Sequence, residues 1–161
     1  MYTNFNTLPQ NSRIWIYQAD REFTRGEVDL LQENAIAFIE EWTRHGAALK
    51  GSFALKYNRF LVLAVDESFA NASGCSIDAS VRFVKQMETL FSMDLMNKLN
   101  VTYKEGQTIR LVNLSTFQEY AKVQKITSET IVFNNMIQTK GDLKSLWEVP
   151  AQQSWHRRFV S

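Results

Sequence analysis

The sequence predicts an α+β fold, a two-layer sandwich with a mainly antiparallel sheet. Three observations carry this reading. Two strongly strand-like runs, IWIYQ within Arg13–Ala19 and FLVLAV over Phe60–Val65, are β-branched and aromatic. Two long segments repeat apolar residues at helical spacing, one from residue 25 and one from residue 76. The strands and helices fall in the order βαββαβ and then βαβα. The first six elements match a ferredoxin-like split βαβ core. In that arrangement the first and third strands are central, which suits FLVLAV being apolar on both faces.

Residues 1–12 are polar and read as a flexible N-terminal arm. Residues 13–161 read as one domain. The first helix has the strongest local signal. Thr24 and Glu27 are spaced as a capping box, and Phe23 and Val28 as its hydrophobic staple. Val28, Leu31, Ala35, Phe38, Ile39 and Trp42 then share one face, and His45-Gly46 supplies a C-terminal stop. The expected helix is 25–45. Gly51–Tyr57 alternates as a half-buried strand, and Asn58-Arg59 turns the chain into FLVLAV.

Asp66–Gly74 reads as a polar loop. Ser76 is the expected cap of the second helix, with Asp78 in its first turn and Ile77, Val81, Val84, Met87 and Phe91 facing inward. Ser92–Leu99 suggests one more helical turn. Val101–Lys104 and Thr108–Asn113 flank Glu105-Gly106 as a hairpin. Ser115 and Gln118 form a second capping-box spacing, opening a helix to Lys125. Thr130–Phe133 reads as a strand and Lys140–Leu146 as a short helix. The tail, 147–161, is expected to dock on the domain, because Trp147, Trp155 and Phe159 would otherwise form an exposed apolar patch.

Composition limits function. The 161 residues are 45% hydrophobic and 22% charged, ordinary for a globular protein. Eighteen basic residues against 17 acidic ones give a net charge of +1, which argues against nucleic-acid binding. No apolar run is long enough for a membrane span. The N-terminal stretch has neither a basic start nor an apolar core, so no secretory signal is expected. One Cys excludes an intrachain disulfide. These signs point to the cytoplasm.

The segments SRIWIYQADREFT, FLVLAVDES with ASGCSIDASVRFVK, and LWEVPAQQSWHRRF resemble a group of small uncharacterised Bacteroidetes proteins. The resemblance runs from about Ser12 to Phe159. That group often carries the automatic label of an ABC transporter ATPase, which implies a phosphate-binding loop. The nearest segment here is Gly46-Ala-Ala-Leu-Lys-Gly51-Ser52-Phe53, with Ser52 where the loop lysine belongs and no LSGGQ-type signature elsewhere. The residues reject the label.

Two candidate sites remain. Gly74, Cys75, Ser76 and Asp78 open the second helix, where amides and the helix dipole favour an anion or a thiolate, and Asp66 and Glu67 leave the strand nearby. Trp147, Trp155, His156, Arg157 and Arg158 combine aromatic anchors with positive charge, a composition common at interfaces. Each set also has a structural explanation, as a helix cap or as a latch holding the tail. His45 and His156 are the only histidines, and neither is spaced to serve Cys75 as a base. No metal-ligand spacing and no cofactor motif occurs. Lys50–Tyr57 echoes an RNA-binding strand, but Ser52 and Ala54 stand where stacking aromatics belong. The expected function is a non-enzymatic binding or interaction module, with a protein partner or second copy of the chain. The alternative is a small enzyme or anion-binding protein centred on Cys75–Asp78.

Overall fold

A computed structural model describes all residues, Met1–Ser161, and the fold is α+β. Where one domain was expected, the chain divides into two compact units, Met1–Met96 with Gln138–Gly141, and Asn97–Ile137 with Asp142–Ser161. No helix is long and apolar enough to cross a membrane.

In the first unit, β1 (Arg13–Gln18), β4 (Gly51–Lys56) and β5 (Phe60–Val65) form an antiparallel sheet in the order β1-β5-β4. This is the expected split arrangement, with FLVLAV in the middle. Trp15, Leu63 and Phe53 align in one row, and Tyr17, Leu61 and Leu55 in the next. These rows pack under α1 (Arg25–Glu41) and α2 (Gly74–Phe91), which contribute Leu31, Ala35, Phe83, Val84, Met87 and Phe91 to the core. The first unit therefore has helices layered on a sheet.

The ferredoxin-like core is not completed. Residues 100–105, the expected fourth strand, pair in a different sheet. The outer edge of β1 instead receives residues 138–141. Ile14 N–H donates to Gln138 O at 2.9 Å, Arg13 bridges Thr139, and Lys140 N–H donates to Ser12 O. The expected arm is also built in. Phe5 and Leu8 are buried, and Met1–Thr3 run beside Gly51 with backbone bonds of 2.9 and 3.0 Å. The terminal ammonium donates to Ile39 O and Leu49 O, placing positive charge at the end of α1 where the dipole favours it.

The capping box at Thr24 and Glu27 forms as expected. Arg21 completes it, donating to both Glu27 oxygens at 2.8 and 2.9 Å and to Phe91 O at 2.6 Å, so one guanidinium joins the start of α1 to the end of α2. The Arg21 guanidinium, with the Thr24 amide, holds the Glu27 carboxyl down at about 2. The end of α1 is a correction: the helix stops at Glu41, short of 45. Trp42 turns extended so that its buried indole donates to Ser76 O at 2.8 Å. His45 (φ 49°) and Gly46 (φ 82°) then make the turn between β2 (Thr43–Arg44) and β3 (Ala47–Ala48).

Other boundaries shift for similarly local reasons. The β4–β5 turn is made by Tyr57 and Asn58, both with positive φ, and not by Asn58-Arg59. Ser73, not Ser76, caps α2, and Asp78 lies beyond the first turn. Residues 92–99 are not helical; left-handed Ser92 ends α2.

The second unit is built on a sheet in the order β7-β6-β8-β9, from β6 (Asn100–Glu105), β7 (Thr108–Asn113), β8 (Ile131–Phe133) and β9 (Glu148–Pro150). Gly106, at φ 62°, opens the β6–β7 turn. The helix α3 (Leu114–Lys122) starts at Asn113, whose Oδ1 accepts from Thr116 N–H and from Ser115 Oγ, so the expected cap Ser115 serves the cap instead. A four-residue helix, α4 (Asp142–Ser145), falls within the expected 140–146. Val101, Tyr103, Phe117, Ile126, Val132 and Ala151 make the core of this unit.

Thr24→Ala should lower stability by about 1 kcal/mol through loss of the cap bond. Urea denaturation should show a lower midpoint with an unchanged slope.

Candidate functional site

The opening of α2 is assembled by its own side chains. Ser73 Oγ accepts from Ser76 N–H at 3.2 Å, and Ser76 Oγ in turn accepts from Ser73 N–H and donates to Ser73 O. Ser76 is buried, so its hydroxyl is a cap component with no free face. Cys75, the second residue of the helix, is exposed and unpaired. Asp78 is exposed, one turn further on.

The carboxylates expected to flank this site are turned to other uses. Asp66 is 5% exposed; its Oδ1 accepts from the amide and hydroxyl of Ser68, and its Oδ2 lies 3.9 Å from Lys50 Nζ. Glu67 Oε2 accepts from Ala72 N–H at 3.0 Å. Both carboxylates thus hold the 66–72 loop in shape. Of the expected set, the structure leaves Gly74, Cys75 and the exposed Asp78 outside the cap and loop bonds. The remaining chemistry is that of an exposed thiol at a helix start, with no base placed against it.

The segment nearest to a phosphate loop, residues 46–53, consists of a hairpin turn, a two-residue strand and the start of β4. It lacks the strand–loop–helix geometry that cradles phosphate. Ser52 is fully buried on β4, so this strand presents no open stacking surface there.

The tail is the more deeply packed candidate. Trp147 is buried, meets Phe133 edge-on at 5.1 Å and donates from Nε1 to Asn135 Oδ1 at 2.9 Å. Ala151 N–H donates to Thr130 O and Gln152 N–H to Ser128 O, so β9 leads into a docked turn. His156 is 1% exposed. Its ring stacks on Trp155 at 3.8 Å, lies 5.5 Å from Phe117, and shares a 2.7 Å hydrogen bond through Nδ1 with buried Ser154 Oγ. Burial lowers its pKa from 6.5 to about 4. The Ser–His pair is closed to a substrate and works as a latch. Trp155 and Phe159 pack on the same core, while Arg157 and Arg158 stay exposed. Ser154 is the residue that sequence reasoning missed. Its spacing two before His156 is a weak signal, because only the 3₁₀ turn of Trp155–Phe159 brings the two together.

An open depression of about 590 Å³ lies beside the end of α2, lined by Asp20, Lys85, Glu88 and Asp94 among others. Its acids also have backbone work: Glu88 Oε2 accepts from Leu95 and Met96, and Asp20 Oδ1 from Asp94. No group of three or more potential metal ligands comes together in the structure.

The geometry of the sheet edges supplies a candidate that the sequence reading did not single out. On β1 the outer edge is occupied by residues 138–141, and the β4 edge begins under Met1–Thr3. On the second sheet, β9 is three residues long and ends in Pro150. By contrast β7 is six residues long, contains no proline, and pairs on one side only. Leu114 N–H donates inward to Leu99 O, and this fixes the parity: Val112 and Arg110 face β6, while the amides and carbonyls of Ile109 and Leu111 face outward. Both side chains are only partly buried.

Comparison with protein-family models, curated proteins and solved structures finds no match to this chain.

Two outcomes follow. Cys75 should react with a thiol reagent in the native protein, and Cys75→Ala should change stability by less than about 0.5 kcal/mol, as an exposed site does. For His156, an unfolded chain takes up a proton as pH falls through 6.5, whereas the folded ring resists until about 4. Stability should therefore be full above neutrality and drop by roughly 3 kcal/mol on acidification across that window. Urea midpoints measured from pH 7.5 to pH 4.5 should show this fall, and His156→Asn should flatten it.

Proposed function

We propose that the protein is a non-enzymatic interaction module that takes up an extended polypeptide strand on the free edge of β7. The carrying observation is that β7 is a six-residue edge strand with no proline and no backbone partner on its outer side, whereas β1 is covered by residues 138–141, β4 is engaged at Gly51 by Met1–Thr3 with Phe5 packed beside it, and β9 is short and ends in Pro150. An uncovered strand offers a row of unpaired amides and carbonyls, and an added strand satisfies them. The partly exposed Ile109 and Leu111 side chains give that strand an apolar strip to rest on. Arg110 is the one charge on β7, and its 3.6 Å pairing with Glu105 is exposed and weak.

The reading places the protein in a reducing cytoplasm, where an exposed lone thiol such as Cys75 stays reduced. The proposed kinship with the small Bacteroidetes group brings no activity that competes with it. A second reading, an anion or thiol site at Gly74–Cys75, is favoured by the exposure of Cys75 alone.

Selection of peptides on the immobilised protein tests the proposal. Selected peptides should bind in extended form and lose at least tenfold in affinity on Leu111→Pro, a change of about 1.4 kcal/mol. They should be indifferent to Cys75→Ala. Binders that ignore Leu111→Pro would overturn the reading.

A further inference from the structure

We propose that the strand received by β7 is the β7 of a second copy of this chain, paired antiparallel about a two-fold axis through Leu111. The inference rests on the interaction reading above and names its partner.

The argument begins with parity. Only odd-numbered residues of β7 direct backbone groups outward, so a partner strand must place its own outward residues opposite Ile109, Leu111 and Asn113. A second β7 does this with its axis at Leu111. Leu111 then faces its own copy, and Ile109 faces Asn113. This register pairs Ile109–Asn113 of one copy with the same five residues of the other.

Charge selects this register over its nearest rival. An axis at Arg110 satisfies the same parity but sets Arg110 directly against Arg110, and like charges directly opposite are destabilising. With the axis at Leu111, Arg110 faces Val112 and keeps Glu105 as its partner within the same hairpin. At longer range the net charge of +1 leaves two copies with little mutual repulsion.

The association also closes. An isologous pair uses the same edge on both copies, so neither β7 edge remains free afterwards. The opposite margin of that sheet is the short β9, ending in Pro150. The pairing therefore joins two four-stranded sheets and stops at a dimer.

Sedimentation over rising concentration, with a cross-linking arm, tests this. The wild-type chain should dimerise. Leu111→Pro should raise the dimer dissociation constant by at least roughly 100-fold with unchanged circular dichroism, because proline there removes an outward amide and leaves the ladder to β6 intact. In a Cys75→Ala background, a short bis-maleimide should link Leu111→Cys to its own copy far faster than it links Thr108→Cys. This arm reads the register even if the proline variant fails to fold. A wild-type chain that stays monomeric, a dimer that survives Leu111→Pro, or equal linking at both positions would overturn the proposal. A monomer whose selected peptides still require Leu111 would remove only the identity of the partner. A monomer whose peptides ignore Leu111 would remove the edge reading as well.

Discussion

Everything in the first unit answers to β5. All six residues of FLVLAV have no exposed surface, and they alternate to both faces of the sheet. A strand apolar on both faces needs cover on both, and flanking strands on both edges. One face is met by α1 and α2 through Leu61 and Leu63. The other carries Phe60, Val62 and Ala64, all buried, and the packing of Phe5 beside β4 shows why the N-terminal residues cannot remain a loose arm. The approach is close enough to restrict a neighbour: a Cβ on Gly51 would stand 3.0 Å from Ala64 O.

The same demand reaches beyond local sequence. β1 protects one edge of β5 but presents an edge of its own. Its cover is residues 138–141, which enter the first unit from far along the chain and are pinned by Lys140, donating to Leu8 O at 2.7 Å. This explains the failure of the ferredoxin-like expectation. Apart from the short β2–β3 hairpin, element order matched the expectation through α2, yet the strand expected beside β1 pairs elsewhere, and residues 138–141, the last two of which were read as the start of a helix, occupy its place. Order along the chain restricts pairing without deciding it.

What was legible followed the range of the interaction. Thr24 and Glu27 sit three residues apart and satisfy each other, so their box could be read directly. Asn113 and Ser115 both suit a cap, as do Ser73 and Ser76, and the choice rests on backbone geometry that residue identity does not carry. The end of α1 was hidden because Trp42 leaves the helix for a partner 34 residues away. At the candidate site, residue types suggested a cluster of thiol, hydroxyl and carboxylates. The partners that divide that cluster, Ser68, Ala72 and Lys50, are polar neighbours whose roles emerge only when the loop is folded. The free edge of β7 was illegible for the converse reason. A hairpin is visible in sequence, but the absence of a third strand beside it is a property of the whole sheet.

That difference bears on where function should be sought in this molecule. A polar group already engaged by its own loop must break bonds before it can act on a ligand, and in a buried setting those bonds are costly to leave unmade. Ser76, Asp66 and the Ser154–His156 pair are all in that position. The backbone of Ile109 and Leu111 is not: its donors and acceptors are held in strand geometry by the ladder to β6, with the conformational cost of extension already met in folding. A partner strand that binds there loses freedom on its own side only. Preorganisation of this kind favours the edge over the helix start as the working surface, and it does so without requiring an unusual side chain.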